Sequence, residues 1–358
     1  MSDDAAGSAT AEKGLEGASH GVASFDEGRP GIVRRIQAFL HAYPTAIPFI
    51  VLIVGIIVFS IAAGSKFFAP FNLSLVLQQV TIIGLLGIAQ TLIILTAGID
   101  LSVGAIMILS SIVMGRLSVV AGVPVEISFV MGLATGILCG LINGVLVALV
   151  KLPPFIVTLG TWSIYGAMII FISNSETIRS QDIAAIAPML QWMGARVALG
   201  GGAILTAGSM VMILIAATVW YILNCTAFGR HIYATGDDPE AARLAGINTK
   251  MTLIGVYTLA GLICALASWV LIGRVGAVSP LGSQTANLDS ITAVVIGGTS
   301  LFGGRGSIIG TLLGALIVGM FRNGLALAGV DVLWQEFAVG ALIIIAVTTD
   351  QWIRKISA

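Results

Sequence analysis

From residue 46 onward the chain is built of apolar runs, each broken by a short polar or Gly/Pro-containing stretch. Runs of about twenty apolar residues are long enough to cross a hydrocarbon core of about 30 Å as helices. The pattern predicts ten spans, at 46–64, 73–96, 100–119, 125–150, 155–173, 203–224, 251–273, 288–302, 306–326 and 332–350. The eighth is too short to cross comfortably as one straight helix. The fold class is therefore all-α, a polytopic membrane body over residues 45–358. Before it, "GIVRRIQAFLHAYPTAIP" sets Ile32, Val33, Ile36, Phe39 and Leu40 on one helical face beside Arg34 and Arg35, which predicts an interfacial helix over 31–44 ending near Pro44. Residues 1–30 have low hydrophobicity and no basic region leading into an apolar core, so they read as a disordered tail and not as a signal peptide.

Composition agrees with the pattern. Hydrophobic residues make up 57% of the 358 and charged ones only 9%, against about 25% charged in an average soluble domain. The 44 glycines suit close helix approach and broken spans. Seventeen basic and seventeen acidic side chains balance, so net charge points to no nucleic-acid partner. Cys139, Cys225 and Cys264 lie in or beside apolar segments without metal-ligand spacing and read as small apolar residues.

Orientation follows from Lys and Arg. With the N-terminus inside, eleven fall on the inner side (Lys13, Arg29, Arg34, Arg35, Lys151, Arg230, Arg243, Lys250, Arg305, Arg354, Lys355) and six outside (Lys66, Arg116, Arg179, Arg196, Arg274, Arg322). Both termini are thus expected in the cytoplasm. A weak internal repeat at an offset of 180 pairs Leu133 with Leu313, Ile137 with Ile317, Asn143-Gly144 with Asn323-Gly324, Ala148 with Ala328, Val150 with Val330 and Gly160 with Gly340. Its copies fall five spans apart, hence in opposite orientations, as in the inverted repeats of transporters.

Catalytic chemistry has little support. His20, His41 and His231 lie away from any carboxylate pair inside the membrane, and the dipeptide Gly-Lys of a phosphate-binding loop never occurs. Three carboxylates, Asp100, Asp289 and Glu336, belong to or adjoin predicted spans, where an ionisable group marks either an ion relay or a local structural role. Asp100 and Asp289 each precede an apolar run and are placed to cap it; ion coupling is the alternative. Glu336 is expected at an interface with Trp334. Gln90, Asn143, Trp162, Asn287 and Asp289 are candidates for a translocation path, being polar or stacking groups in or beside glycine-rich spans. Interhelical hydrogen bonding is the competing role for each. "GGTSLFGGRGS", residues 297–307, is expected to break the eighth span, as a hinge or as a tight turn.

One passage stands out as the most polar in the second half of the sequence. In the loop 225–250, "GDDPEAARLAGIN" offers a turn at Gly236, Asp237 and Asp238 as a cap, Pro239 in the first helical turn, "EAARLA" as helix former and Gly246 where the helix stops. Such a helix of about two turns is marginal alone in water and is expected to dock on something.

Glu240-Ala241-Ala242 with Gly246 reads as EAA-x-x-x-G and resembles the loop by which permeases of ATP-binding-cassette importers contact their ATPases. "LTAGIDLSVGA", "KLPPFIVTLGT", "GDDPEAARLAGIN" and "ANLDSITAVVIGGTSLFGGRGSIIGTLLGALIVG" resemble the ribose, xylose and fructose branch of bacterial sugar permeases; "SETIRSQDIAAIAP" and "NGLALAGVDVLWQEFAVG" are similar to its fructose members. The resemblance implies an inverted-repeat type II importer architecture in a bacterial inner membrane. It also implies a second permease copy, two cytoplasmic ATPase subunits carrying ATP and Mg²⁺, and a periplasmic sugar-binding protein; no cofactor is implied in this chain. Asp238, Pro239, Glu240, Ala241, Ala242, Arg243 and Gly246 become the expected ATPase-coupling residues. The alternative class is an ion-coupled sugar transporter acting as a lone chain.

Overall fold

The computed structural model describes residues 46–282 and 285–354. The tail (1–30) and interfacial helix (31–44) expected from the sequence lie outside the described residues. Helices dominate: α1 (Ala46–Ala63), α2 (Pro70–Leu95), α3 (Val103–Gly115, prolonged by a π-helical turn Arg116–Val120), α4 (Val125–Ala148), α5 (Pro154–Ser173), α6 (Ser180–Ile186), α7 (Ala207–Cys225), α8 (Ala227–Asp237), α9 (Pro239–Leu244), α10 (Thr249–Val275), α11 (Ala286–Ile296), α12 (Ile308–Leu327) and α13 (Val332–Arg354). Among the described residues, eight helices are long and apolar enough to cross a membrane, and two shorter apolar stretches, Ala286–Ile296 and Val332–Leu342, accompany them. The chain is an all-α, multi-span membrane protein.

The expected span boundaries differ from the helices where side chains interrupt the apolar pattern. The third span begins as a helix only at Val103, not at 100, because residues 96–102 run back beside the end of α2, with Gly98 N donating to Ile93 O at 3.1 Å. The sixth begins at Ala207, since 203–206 form strand β2 (Ala203–Thr206), paired antiparallel with β1 (Arg196–Gly200). Thr206 accepts from Ser209 N at 3.3 Å and so turns that strand into α7. The eighth stops at Ile296, and a glycine-rich segment fills 297–307, as its composition suggested. Also unforeseen were α6, the 3₁₀ turn Pro188–Gly194 and helix α8.

Two helices form the centre. Leu85, Leu86, Ile88, Ala89 and Leu92 to Leu95 of α2 are fully buried, as are Cys264, Ala265, Ala267 and Ile272 of α10; a helix apolar on every side belongs in such a core. α1 instead leaves Phe49, Ile50, Ile53, Val54, Ile57, Val58 and Ile61 exposed, a face suited to lipid. The repeat is visible in the packing. α4 packs on α10 and α12 on α2, while α5 packs on α3 and α13 on α11. Each half thus lays its third helix against the opening helix of the other. α4 and α10 approach through small residues: a Cβ on Gly136 would lie 2.6 Å from Gly261 O, and one on Gly140 would strike Tyr257 O.

The repeated Asn-Gly pair does different work in each half. Gly144 faces Ile254 and Tyr257 of α10, whereas Gly324 faces Phe59 of α1. Gly160 and Gly340 both stand in open space, with nothing within 4 Å of a Cβ.

Candidate functional site

Two regions collect the residues singled out in the sequence. The first is the polar loop between α7 and α10. Asp238 is extended (φ −148°, ψ 102°) and its Oδ1 accepts from Glu240 N at 2.9 Å and Ala241 N at 3.0 Å, capping α9. Pro239 occupies the first turn, where its missing N–H costs nothing. The chain leaves α9 through Gly246 at φ +87°, with Gly246 N on Arg243 O (3.0 Å) and Ile247 N on Ala242 O (3.0 Å). Asn248 then starts α10 by accepting from Met251 N at 3.1 Å. Open space surrounds Gly246, so the left-handed backbone and not close packing requires glycine there.

Only Ala242 of α9 is buried; Leu244 is 84% exposed, a large apolar side chain presented outward on a short helix that also bears Glu240 and Arg243. The Glu240–Arg243 pair, 3.6 Å apart with both side chains mostly exposed, adds little stability. Gly236 is not the turn expected from sequence. It lies inside α8, buried, at a point where a Cβ would collide with Leu95 O. Tyr233 on the same helix donates from Oη to Gly306 O at 2.9 Å, and burial raises its pKa, keeping the phenol a donor.

The second region is a buried polar cluster around residues 98–104. Asp100 Oδ1 accepts from both Ser102 N and Ser102 Oγ at 2.6 Å, an Asx turn that precedes α3 without capping it directly. Asn143 Nδ2 donates to Ser102 Oγ at 2.8 Å and to Asp100 Oδ2 at 3.4 Å, and Tyr165 Oη donates to Asn143 Oδ1 at 3.4 Å. Gln90, its amide turned to match, pairs with Asp100 O and N at 3.1 and 3.2 Å. Thr158 Oγ1 donates to Ile99 O at 3.1 Å. From the other half, Asn287 accepts from Gly104 N at 2.6 Å and donates to Leu101 O at 2.6 Å. Three path candidates, Gln90, Asn143 and Asn287, therefore converge on one broken span, and two of them bond its backbone directly.

The remaining two lie elsewhere. Asp289 does not serve as a simple cap. Its Oδ1 takes Arg322 Nη2 at 2.8 Å, and Arg322 Nη1 reaches Glu336 Oε1 at 2.7 Å, tying α11, α12 and α13 together. Glu336 thus answers Arg322 and does not merely sit beside Trp334. Trp162 is 45% exposed on α5. Ser102, Tyr165 and Arg322 escaped the sequence reading. The Asp-x-Ser spacing of an Asx turn and a cation inside an apolar run were the available signals.

Residues 72–347 match the family described as the branched-chain amino acid transport system / permease component. The chain belongs to this family of permeases. The permease is 57% identical over 347 residues to the fructose import permease protein FrcC of Rhizobium meliloti, covering 97% of this chain and 96% of that protein. It is 38% identical to the ribose import permease protein RbsC of Bacillus subtilis (strain 168), over 87% and 93% of the two chains. It is 32% identical to the xylose transport system permease protein XylH of Escherichia coli (strain K12), over 83% and 89%. No solved structure matches it. The permease is a transport component and not an enzyme, as its relatives are.

Proposed function

We propose that this permease carries a monosaccharide, fructose or a sugar of similar size, across a bacterial inner membrane. Separate ATPase subunits drive it and a periplasmic binding protein feeds it. The observation that carries the reading is α9: a capped, solvent-exposed helix bearing Glu240-Ala241-Ala242 and followed by Gly246, with Leu244 presented outward. Docked on an ATPase, Leu244 would bury an apolar side chain worth about 1.5–3 kcal/mol. Asp238, Pro239, Glu240, Ala241, Ala242, Arg243 and Gly246 form the coupling element, with Asp238 and Gly246 fixing where it starts and ends. ATP and Mg²⁺ belong to the partner, and both termini face the cytoplasm with α9.

A second copy of the chain completes the passage. Within it, Gln90, Asn143 and Asn287 act by holding the 98–104 segment in shape. Trp162, its ring partly exposed, is free to meet a sugar or the second copy. Neutral sugars need no charged site, and the two buried carboxylates are answered locally: Asp289 by Arg322, and Asp100 by Ser102 and Asn143. That pairing disfavours an ion-coupled lone transporter.

The test is co-purification with the ATPase. Leu244→Asp alters a mostly solvated side chain, so folding is retained while ATPase association and sugar-stimulated hydrolysis fall at least tenfold. Unchanged association would overturn the assignment of α9.

A further inference from the structure

The coupling loop meets the rest of the molecule at more than its two flanking helices. Gly236 of α8 lies against Leu95 O, so close that a Cβ has no room. The same carbonyl accepts from Gly304 N at 3.0 Å. A Cβ on Gly303 would stand 2.5 Å from Gly236 O and 2.9 Å from Ala97 N, and one on Gly304 would stand 3.0 Å from both Asp237 Cα and Asp237 Cβ. Three backbones are thus in contact: the end of α2, the end of α8 and the 297–307 segment. Tyr233 adds the hydrogen bond to Gly306 O.

The backbone around this contact is unusual as well. Gly303 and Gly304 have φ of +86° and +70°, where glycine is at home. Ala97, at φ +59°, carries the same conformation with a side chain. A strained residue of this kind persists only when its surroundings fix it from several sides. Here the constraint is visible: Ala97 N bonds Ile94 O at 2.9 Å, and Gly303 closes over its N and Cβ.

We infer that α8, the α2 terminus at Leu95–Ala97 and the 297–307 segment move as one rigid body, making Gly236, Gly303 and Gly304 the positioning residues that carry ATPase motion to both broken spans at once. This rests on the reading of α9 as the ATPase contact and adds where the displacement goes. On one side it enters residues 98–104, which Asn143 and Asn287 hold. On the other it enters α11 and α12. The two breaks belong to opposite halves of the repeat, so a single push at α9 acts on both halves together.

The decisive variant is Asp237→Cys with Gly304→Cys, made in Cys225→Ser because Cys225 is exposed. With Cβ positions 3.0 Å apart, a disulfide needs an adjustment of about half an ångström. Assembled with the ATPase and binding protein in vesicles, the pair should oxidise readily and retain uptake and sugar-stimulated ATPase activity within about twofold of the reduced form. Loss of both on oxidation, restored by a reductant, would mean that α8 slides across the segment and would overturn the inference; so would failure of the pair to oxidise.

Spin labels at Asp237 and Arg305, both exposed and neither a glycine, give a second arm free of the strained positions. Their separation should shift by no more than about 2 Å between nucleotide-free and ATP-trapped complexes, whereas a shift of about one helical turn, about 5 Å, contradicts a rigid body. Gly236→Ala, which forces the surfaces apart, should keep the ATPase bound yet cut uptake at least tenfold. Leu244→Asp tests the other premise separately, because it reads ATPase association and not the junction.

Discussion

Asn143 and Ser102 meet at 2.8 Å in the buried interior, joining α4 to the segment where the third span breaks. Asn143 also reaches Asp100 and receives Tyr165, so one amide serves as both donor and acceptor in a fully buried place. Replacing it by Leu removes the amide donor from Ser102 Oγ and Asp100 Oδ2 deep in the interior, while Tyr165 Oη keeps Cys139 O at 3.0 Å. The expected cost is about 1–3 kcal/mol, read as a lower thermal midpoint in detergent. Uptake should slow without a change in sugar preference, because Asn143 shapes backbone and does not sort sugars. A changed preference with an unchanged midpoint would place Asn143 on the sugar instead.

Arg322 offers a sharper energetic test. Its guanidinium bridges Asp289, whose side chain is only 9% exposed, to Glu336. Arg322→Met strands the Asp289 carboxylate, and breaking a buried pair from one side costs about 3–5 kcal/mol. Adding Asp289→Asn removes the stranded charge and should recover most of that loss. If the double variant proves no more stable than the single one, the pair is not what holds α11 to α12.

Gly246 sits at φ +87° with open space around it. Bulk is therefore not the obstacle to substitution; handedness is. Alanine or leucine should each cost about 1–2 kcal/mol for the left-handed backbone, while asparagine, which visits that region more readily, costs less. Sugar-stimulated ATPase activity is expected to fall in the order Gly, Asn, Ala, with Leu close to Ala. Equal activity for asparagine and alanine would contradict this account.

Asp238 holds two amides of a helix only six residues long. Asp238→Ala should cost about 0.5–2 kcal/mol of that helix and weaken ATPase binding in proportion, while Asp238→Ser, which keeps a cap, should behave much as the parent. The comparison separates capping from any direct contact of the carboxylate with the partner.

Much of this was legible in the sequence because the dominant force is local. Apolar run length gave the order of the helices, although two of the ten expected spans are apolar only over the shorter stretches Ala286–Ile296 and Val332–Leu342, and the Asp238, Pro239 and Gly246 signals gave α9 almost to the residue. Sequence failed where distant backbones decide. Nothing beside Gly236 reveals that Leu95 O lies against it, so a packing glycine looked like a turn. Residues 100–102 looked like a span's opening turns because their backbone partners, Gln90 and Asn287, come from other helices. The offset-180 repeat implied opposite orientations of its copies but not which helices would pack, and its two asparagines found unlike partners, Ser102 for Asn143 and Asn72 for Asn323.

The most direct test of the central claim is sugar uptake into vesicles holding this permease, measured across a sugar panel with and without a cognate ATPase, its binding protein and ATP. The account expects uptake and ATP hydrolysis to appear together, only when all partners are present, and with fructose among the sugars carried. Uptake by the purified permease alone, driven by a sodium or proton gradient, would contradict it.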